Sequence, residues 1–141
     1  MNVGDIMTTN VISCRPEDIL SSVAERMEEQ NIGCCPVLEE DRVVGVITDR
    51  DITTRAVSRG LNPSNTRVRE IMTSNPITGS PFMSLEEACQ VMAENQIRRL
   101  PIVHEGRLQG IVSLADLAID LEEEELLAET LTKISETRSH V

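Results

Sequence analysis

The chain repeats itself, and the repeat constrains its fold more than any other feature. Set against itself with an offset of 65 residues and no gap, positions 3 to 52 meet positions 68 to 117, and 16 of the 50 pairs are identical. Average residue usage gives roughly 3 by chance. Ile6-Met7-Thr8 returns as Ile71-Met72-Thr73, Asn10 as Asn75, Pro16 as Pro81, Met27 as Met92, Pro36 as Pro101, Gly45 as Gly110 and Asp51 as Asp116. A copy of about 50 residues is too small to make a good core alone, so two copies packed on one another form the folding unit.

Within a copy the hydrophobic period switches between two and 3.6. Val11-Ile12-Ser13 and Ile77-Thr78 lead into proline-containing turns and read as first strands. Ile19, Leu20, Val23, Ala24 and Met27 recur at helical spacing, as do Leu85, Ala88, Cys89 and Met92, the second run opening on the capping box Ser84-Leu85-Glu86-Glu87. Cys35 to Leu38 and Val43 to Ile47 flank the polar tetrad Glu39 to Arg42 as a hairpin, repeated by Leu100 to Val103 and Leu108 to Val112 around His104 to Arg107. A second helix starts near Asp49 and its counterpart near Leu114. The expected fold class is α+β, a duplicated β-α-β-β-α unit with an acidic helical tail. Its parts are residues 1–59, a turn-rich linker 60–67, residues 68–120, and the tail 121–141. The last helix is expected to run on past Asp116 into that tail, where Leu127, Leu131 and Ile134 make an apolar stripe.

Composition narrows the function. The net charge is −11, of which residues 116 to 141 carry −6 with 8 acids and 2 bases. Such a field repels nucleic acid, and with no Trp, no Tyr and one Phe the chain has no base-stacking platform. No run reaches the roughly 18 apolar residues of a membrane span, and the opening Met-Asn-Val-Gly-Asp-Ile-Met lacks the regions of a secretory signal. The expected location is the cytoplasm, with neither nucleic acid nor membrane as partner. Cys14, Cys34, Cys35 and Cys89 form no CxxC pair, and the histidines are His104 and His140, which argues against zinc and for cysteines acting as small buried hydrophobes. No nucleophile and base stand at a useful spacing, so an enzyme is not expected.

The most suggestive segment is Gly45-Val46-Ile47-Thr48-Asp49-Arg50-Asp51, matched by Gly110-Ile111-Val112-Ser113-Leu114-Ala115-Asp116. A hydroxyl at a helix entrance with a carboxylate three residues on could serve a phosphate and the hydroxyls of a ribose. The same spacing is also that of a capping box with no ligand. Spacing leaves both readings open.

The doubled Gly-h-h-Ser/Thr-x-x-Asp (h apolar), the Ile-Met-Thr openings and Ile-Arg-Arg-Leu-Pro-Ile-Val resemble a tandem pair of CBS (cystathionine-β-synthase type) domains over residues 1 to about 120. That resemblance implies a regulatory module that binds an adenosine compound (AMP, ADP, ATP, NADH or S-adenosylmethionine, AMP first among them), needs no other cofactor, performs no turnover and forms a homodimer. It implies two pockets. One takes Thr48, Arg50 and Asp51 with Ile77, Thr78, Arg99, Leu100 and Pro101. The other takes Ser113 and Asp116 with Ile12, Ser13, Cys35 and Pro36. Carboxylates would hold ribose, hydroxyls phosphate, and backbone with aliphatic side chains the adenine. Ala115 stands where the first copy has Arg50, and Gly33-Cys34 where the second has Arg98-Arg99. The expectation is therefore that phosphate-bearing ligands enter the Thr48/Asp51 pocket first, the Ser113/Asp116 pocket having no base. A homodimer is also expected because the stripe through Ala88, Val91 and Met92 looks too wide for one pair to cover. The alternative is a ligand-free dimerisation or interaction module. The sequence names no regulated protein.

Overall fold

The described residues of the computed structural model are 1–121 and 124–136. In chain order they form α1 (Val3–Ile6), α2 (Leu20–Gln30), β1 (Cys34–Glu39), β2 (Arg42–Thr48) and α3 (Asp49–Asp51), which continues as a π-helical stretch (Ile52–Val57). A 3-10 turn (Val68–Glu70), β3 (Thr73–Ser74), α4 (Leu85–Asn95), β4 (Arg99–His104), β5 (Arg107–Ser113), α5 (Leu114–Asp120) and α6 (Glu124–Ser135) follow. The architecture is α+β.

The two hairpins are built alike. Their turns place both central residues in the left-handed region, Glu40 and Asp41 at φ 51° and 67°, Glu105 and Gly106 at φ 52° and 82°, a geometry whose twist matches that of the flanking strands. Each then slips register at the same point. Val37 pairs with Gly45 while Leu38 pairs with Val43, and Ile102 pairs with Gly110 while Val103 pairs with Leu108. Val44 and Gln109 are the extra residues of these bulges. The slip sets Cys34 opposite Thr48 and Arg99 opposite Ser113.

Two compact units result, and they divide the chain differently from the sequence copies. One runs from Val11 to Pro76. Its core sets Leu20, Val23 and Met27 of α2 against Cys35, Val37, Ile47, Ala56, Val68 and Ile71. Here α2 stops at Asn31, left-handed at φ 52°, whose N–H returns to the carbonyls of Glu28 and Met27. The turn-rich stretch 60–67 covers the start of the same helix: the Thr66 and Pro63 carbonyls accept from the Leu20 and Ser21 N–H groups. Val68 to Ser74, by sequence the opening of the second copy, also folds here. β3 pairs with β2, Thr73 facing Val46. A Cβ on Gly45 would lie 2.7 Å from Met72 Sδ and 2.9 Å from the Thr73 carbonyl oxygen, so only glycine admits the crossing.

The other unit joins Met1–Asn10 to Ile77 and the residues after it. The first copy's opening thus folds with the second copy's body. Thr8 and Ile111 exchange two backbone hydrogen bonds, both 2.9 Å, and a Cβ on Gly110 would lie 2.7 Å from the Thr8 carbonyl oxygen. The core gathers Val3, Leu85, Ala88, Cys89, Met92, Leu100, Ile102, Val112, Leu117, Leu121 and Ile134. Ser84 Oγ accepts from the Glu87 N–H at 3.0 Å, the serine half of the expected capping box.

Four expectations change. The first strands shrink to single parallel bridges one residue on, Cys14 with Val37 and Gly79 with Ile102, because Pro16 and Pro81 follow two residues later and cut the pairing short. The last helix does not run on: it ends at Asp120, and Leu121 turns extended (φ −84°, ψ 122°) to bury its side chain in the core. The tail stripe is shifted, since α6 turns Thr130 and Ile134 inward while Leu131 stays 48% exposed. Finally, Ala88 and Met92 are fully buried in their own unit, where α4 packs against α6, so no bare stripe there calls for a second copy.

Candidate functional site

Each strand-to-helix junction holds its hydroxyl and carboxylate in a closed capping box. Thr48 Oγ1 accepts from the Asp51 N–H at 3.1 Å while Asp51 Oδ2 accepts from the Thr48 N–H at 2.9 Å. Ser113 Oγ accepts from the Asp116 N–H at 3.1 Å and Asp116 Oδ2 from the Ser113 N–H at 2.9 Å. The box reading of the spacing is therefore realised at both junctions, and all four side chains are half-buried. It leaves chemistry free: a hydroxyl accepting one bond still has its own proton to donate, and a carboxylate using one oxygen still has the other.

The junctions differ at that second oxygen. Asp51 Oδ1 lies 3.7 Å from Arg55 Nε one turn on, and Arg55 is held in place by the Ile71 carbonyl at 3.0 Å and Thr73 Oγ1 at 3.1 Å. Asp116 has no partner for Oδ1 among the described residues. In the first unit Asp49 folds back over Gly33, where a Cβ would lie 2.9 Å from Asp49 Oδ2, and the Asp49 N–H donates to the Gly33 carbonyl. Arg50 is exposed, its backbone N–H donating to Asp49 Oδ1 at 2.8 Å.

In the second unit the equivalent corner is open and basic. The Leu114 N–H donates to the Arg98 carbonyl at 2.8 Å, and a cavity of about 430 Å³ lies there, lined by Arg98, Arg99, Ser113, Leu114, Ala115, Ala118, Leu127 and Leu131. Neither arginine forms an ion pair with a described residue. The hairpin register sets Arg99 opposite Ser113, a juxtaposition that comparing copy with copy does not show.

The remaining sequence candidates fall into two groups. Leu100, Pro101, Cys35 and Pro36 are buried, Leu100 and Cys35 as core residues, so they have little side chain to offer a ligand. Ile77 and Thr78 are exposed, and Ile12 and Ser13 half-buried; the Ser13 carbonyl accepts from Arg26 Nη1 at 2.7 Å, and Arg26 Nη2 pairs with Asp18 at 3.0 Å. Sequence reasoning missed Leu114, Ala118, Leu127 and Leu131 as lining residues. The two tail leucines had a signal, a stripe at helical spacing, but nothing local said which body it would face.

Three of the cysteines are held as thiols. Burial, with Cys35 nearby as the next cause, pushes Cys14 up to about 12, and burial raises Cys35 and Cys89 as well. Among the described residues no three His, Cys, Asp or Glu side chains are gathered as metal ligands would be, and no helix is long and apolar enough to cross a membrane. His140 lies outside the described residues.

Compared with known proteins, the sequence matches the family model described as "CBS domain" twice, over residues 3–58 and 68–138. It is 42% identical over 139 residues to the CBS domain-containing protein YhcV of Bacillus subtilis, covering 99% of each chain. Among solved structures it resembles Hypoxic Response Protein I with two coordinated zinc ions, at 34% identity and a TM-score of 0.80, covering 86% of this chain and 99% of that one. It also resembles CBSX2 in complex with AMP, at 26% identity and a TM-score of 0.73, covering 84% and 94%.

Proposed function

The chain belongs to the CBS domain family, and on that premise we propose that it is a regulatory module that binds an adenosine compound, AMP first among the candidates, without turning it over. The observation that supports this most is the smaller of two cavities in the second unit, the one lined by Arg98, Arg99 and Ser113 together with aliphatic side chains. Its size falls within the range of small-molecule sites, roughly 300–1,000 Å³. Guanidinium groups suit phosphate because they present paired N–H donors in a plane, and among the described residues neither arginine has an acid as ion-pair partner although the chain carries a net charge of −11. The Ser113 hydroxyl donates to the same phosphate, and the open Asp116 Oδ1 accepts from ribose hydroxyls. Thr48, Arg50 and Asp51 form a separate, lesser site, because Arg55 already stands beside the second oxygen of Asp51. The AMP complex of CBSX2 supports the ligand class.

In this reading the protein is a cytoplasmic homodimer, needs no cofactor beyond its ligand, and acts on a partner protein through occupancy. Isothermal titration of the chain with AMP, ATP, NADH and S-adenosylmethionine tests it, with light scattering on the same samples for the dimer. Binding of at least one compound is expected, weakened more by Arg99→Ala than by Arg50→Ala. Silence from all four at millimolar concentration overturns the ligand reading in favour of an interaction module, and a mass of 15.6 kDa at micromolar concentration overturns the dimer.

A further inference from the structure

The Gly-h-h-Ser/Thr-x-x-Asp motif ends at Asp116, and α6, which lies within the second family match over 68–138, reaches the cavity. It packs on α4 through one face: Thr130 and Ile134 are buried, and at its end Gln96 Nε2 donates to the Lys133 and Glu136 carbonyls. A second face, Leu127 and Leu131, faces the cavity of Arg98, Arg99 and Ser113 instead. Leu131 is 48% exposed although it sits between two buried positions of its helix. An exposed leucine alone is ordinary. A leucine lining the same cavity as two arginines that form no ion pair with a described residue is one half of an amphipathic site.

We propose that Leu127 and Leu131 of α6 determine which anion the site accepts: they are the wall against which the flat, apolar part of the ligand lies while Arg98 and Arg99 hold its anionic end. Where the flat group is adenine, this rests on the adenosine reading above. The chain's composition makes the wall aliphatic. Its one aromatic, Phe82, lies edge-on to His104 with ring centroids 5.3 Å apart and does not line the cavity, so apolar contact from leucine and alanine must supply what stacking supplies elsewhere. Ala115 and Ala118 of α5 line the same cavity with small side chains, which leaves room for a planar group. The tail helix is on this account part of the binding site, and an anion lacking a flat apolar part, such as a sugar phosphate, gains the arginines but not the wall.

The test compares AMP with ribose 5-phosphate by titration calorimetry on the full chain and on Leu131→Gln, a surface substitution whose folding is checked by its melting temperature. Losing the apolar contact of a half-exposed leucine is expected to weaken AMP by about five- to tenfold and to leave ribose 5-phosphate within about twofold, while Leu131→Met restores AMP. Equal affinities for AMP in the parent and Leu131→Gln, or equal weakening of both ligands, overturn the role of α6 and leave the adenosine reading standing. Failure of AMP to bind the parent chain overturns both.

Discussion

A methyl group added at Gly110 tests the exchange of openings between the two units. In the structure the Thr8 carbonyl passes so close over Gly110 that a Cβ would stand 2.7 Å from its oxygen and 2.8 Å from Met7 Sδ. That is about 0.7 Å short of ordinary contact. The sulfur can swing aside, but the carbonyl cannot: it accepts the Ile111 N–H at 2.9 Å while Ile111 accepts the Thr8 N–H in return. Gly110→Ala must both weaken that pair, a loss of about 1 kcal/mol, and strain the backbone, since overpacking of this kind costs about 1–3 kcal/mol. A total of about 2–4 kcal/mol corresponds to a fall in melting temperature of about 5–15 °C for a chain of this length. Circular dichroism at 222 nm is the assay, because the chain has no Trp or Tyr. Gly60→Ala is the control, since a Cβ there meets nothing within 4 Å and carries only the cost of φ +70°, roughly 1–2 kcal/mol. If Gly110→Ala melts with the parent chain, or no lower than Gly60→Ala, then residues 7–8 do not cross Gly110 and the exchange is refuted.

Two further outcomes follow from the buried thiols and from α6. Because Cys14 is raised from 9.0 to about 12 in the folded chain, the folded state holds its proton more tightly than the unfolded one. Its contribution is whole below about pH 9 and is lost as pH rises towards 12, with a slope approaching about 1.4 kcal/mol per pH unit. Melting temperature is expected to fall above pH 9 less steeply in Cys14→Ala than in the parent, and parallel profiles would contradict the burial argument. Gln96→Ala removes two bonds to the last carbonyls of α6 and is expected to speed amide exchange in residues 130–136 while leaving β4 unchanged, as hydrogen-exchange mass spectrometry can read; equal rates in both would show the clamp to be idle.

Much of the fold was legible because its signals are local. The helical stripes of α2 and α4, the polar tetrads of the hairpins and the Ser/Thr-x-x-Asp caps each depend on a few neighbouring residues, and each is found where the pattern puts it. What was hidden depends on distant partners. The repeat shows where Ile6-Met7-Thr8 and Ile71-Met72-Thr73 lie in the sequence, but nothing in them says which body each will cross. The helix break at Asp120 carries no Gly or Pro; it is set by burial of Leu121. The setting of the arginines was hidden for a different reason. Aligning copy on copy opposes Arg98-Arg99 to Gly33-Cys34, whereas counting outward from the Glu105-Gly106 turn, with one residue added for the bulge, opposes Arg99 to Ser113. That signal was present and lay in the turn.

The exchanged openings also order the chain in time. Residues 11 to 76 hold every partner of their own unit within one continuous stretch, so that unit can close as soon as it leaves the ribosome. The first ten residues cannot: Thr8 waits for Ile111, about 100 residues later, which at about 5–20 residues per second is a delay of about 5–20 s. Residues 3–8 precede 11–76 in the chain yet are set in place after them, and until then the sulfur of Met7 and the ladder edge of Thr8 stand open to whatever else is near.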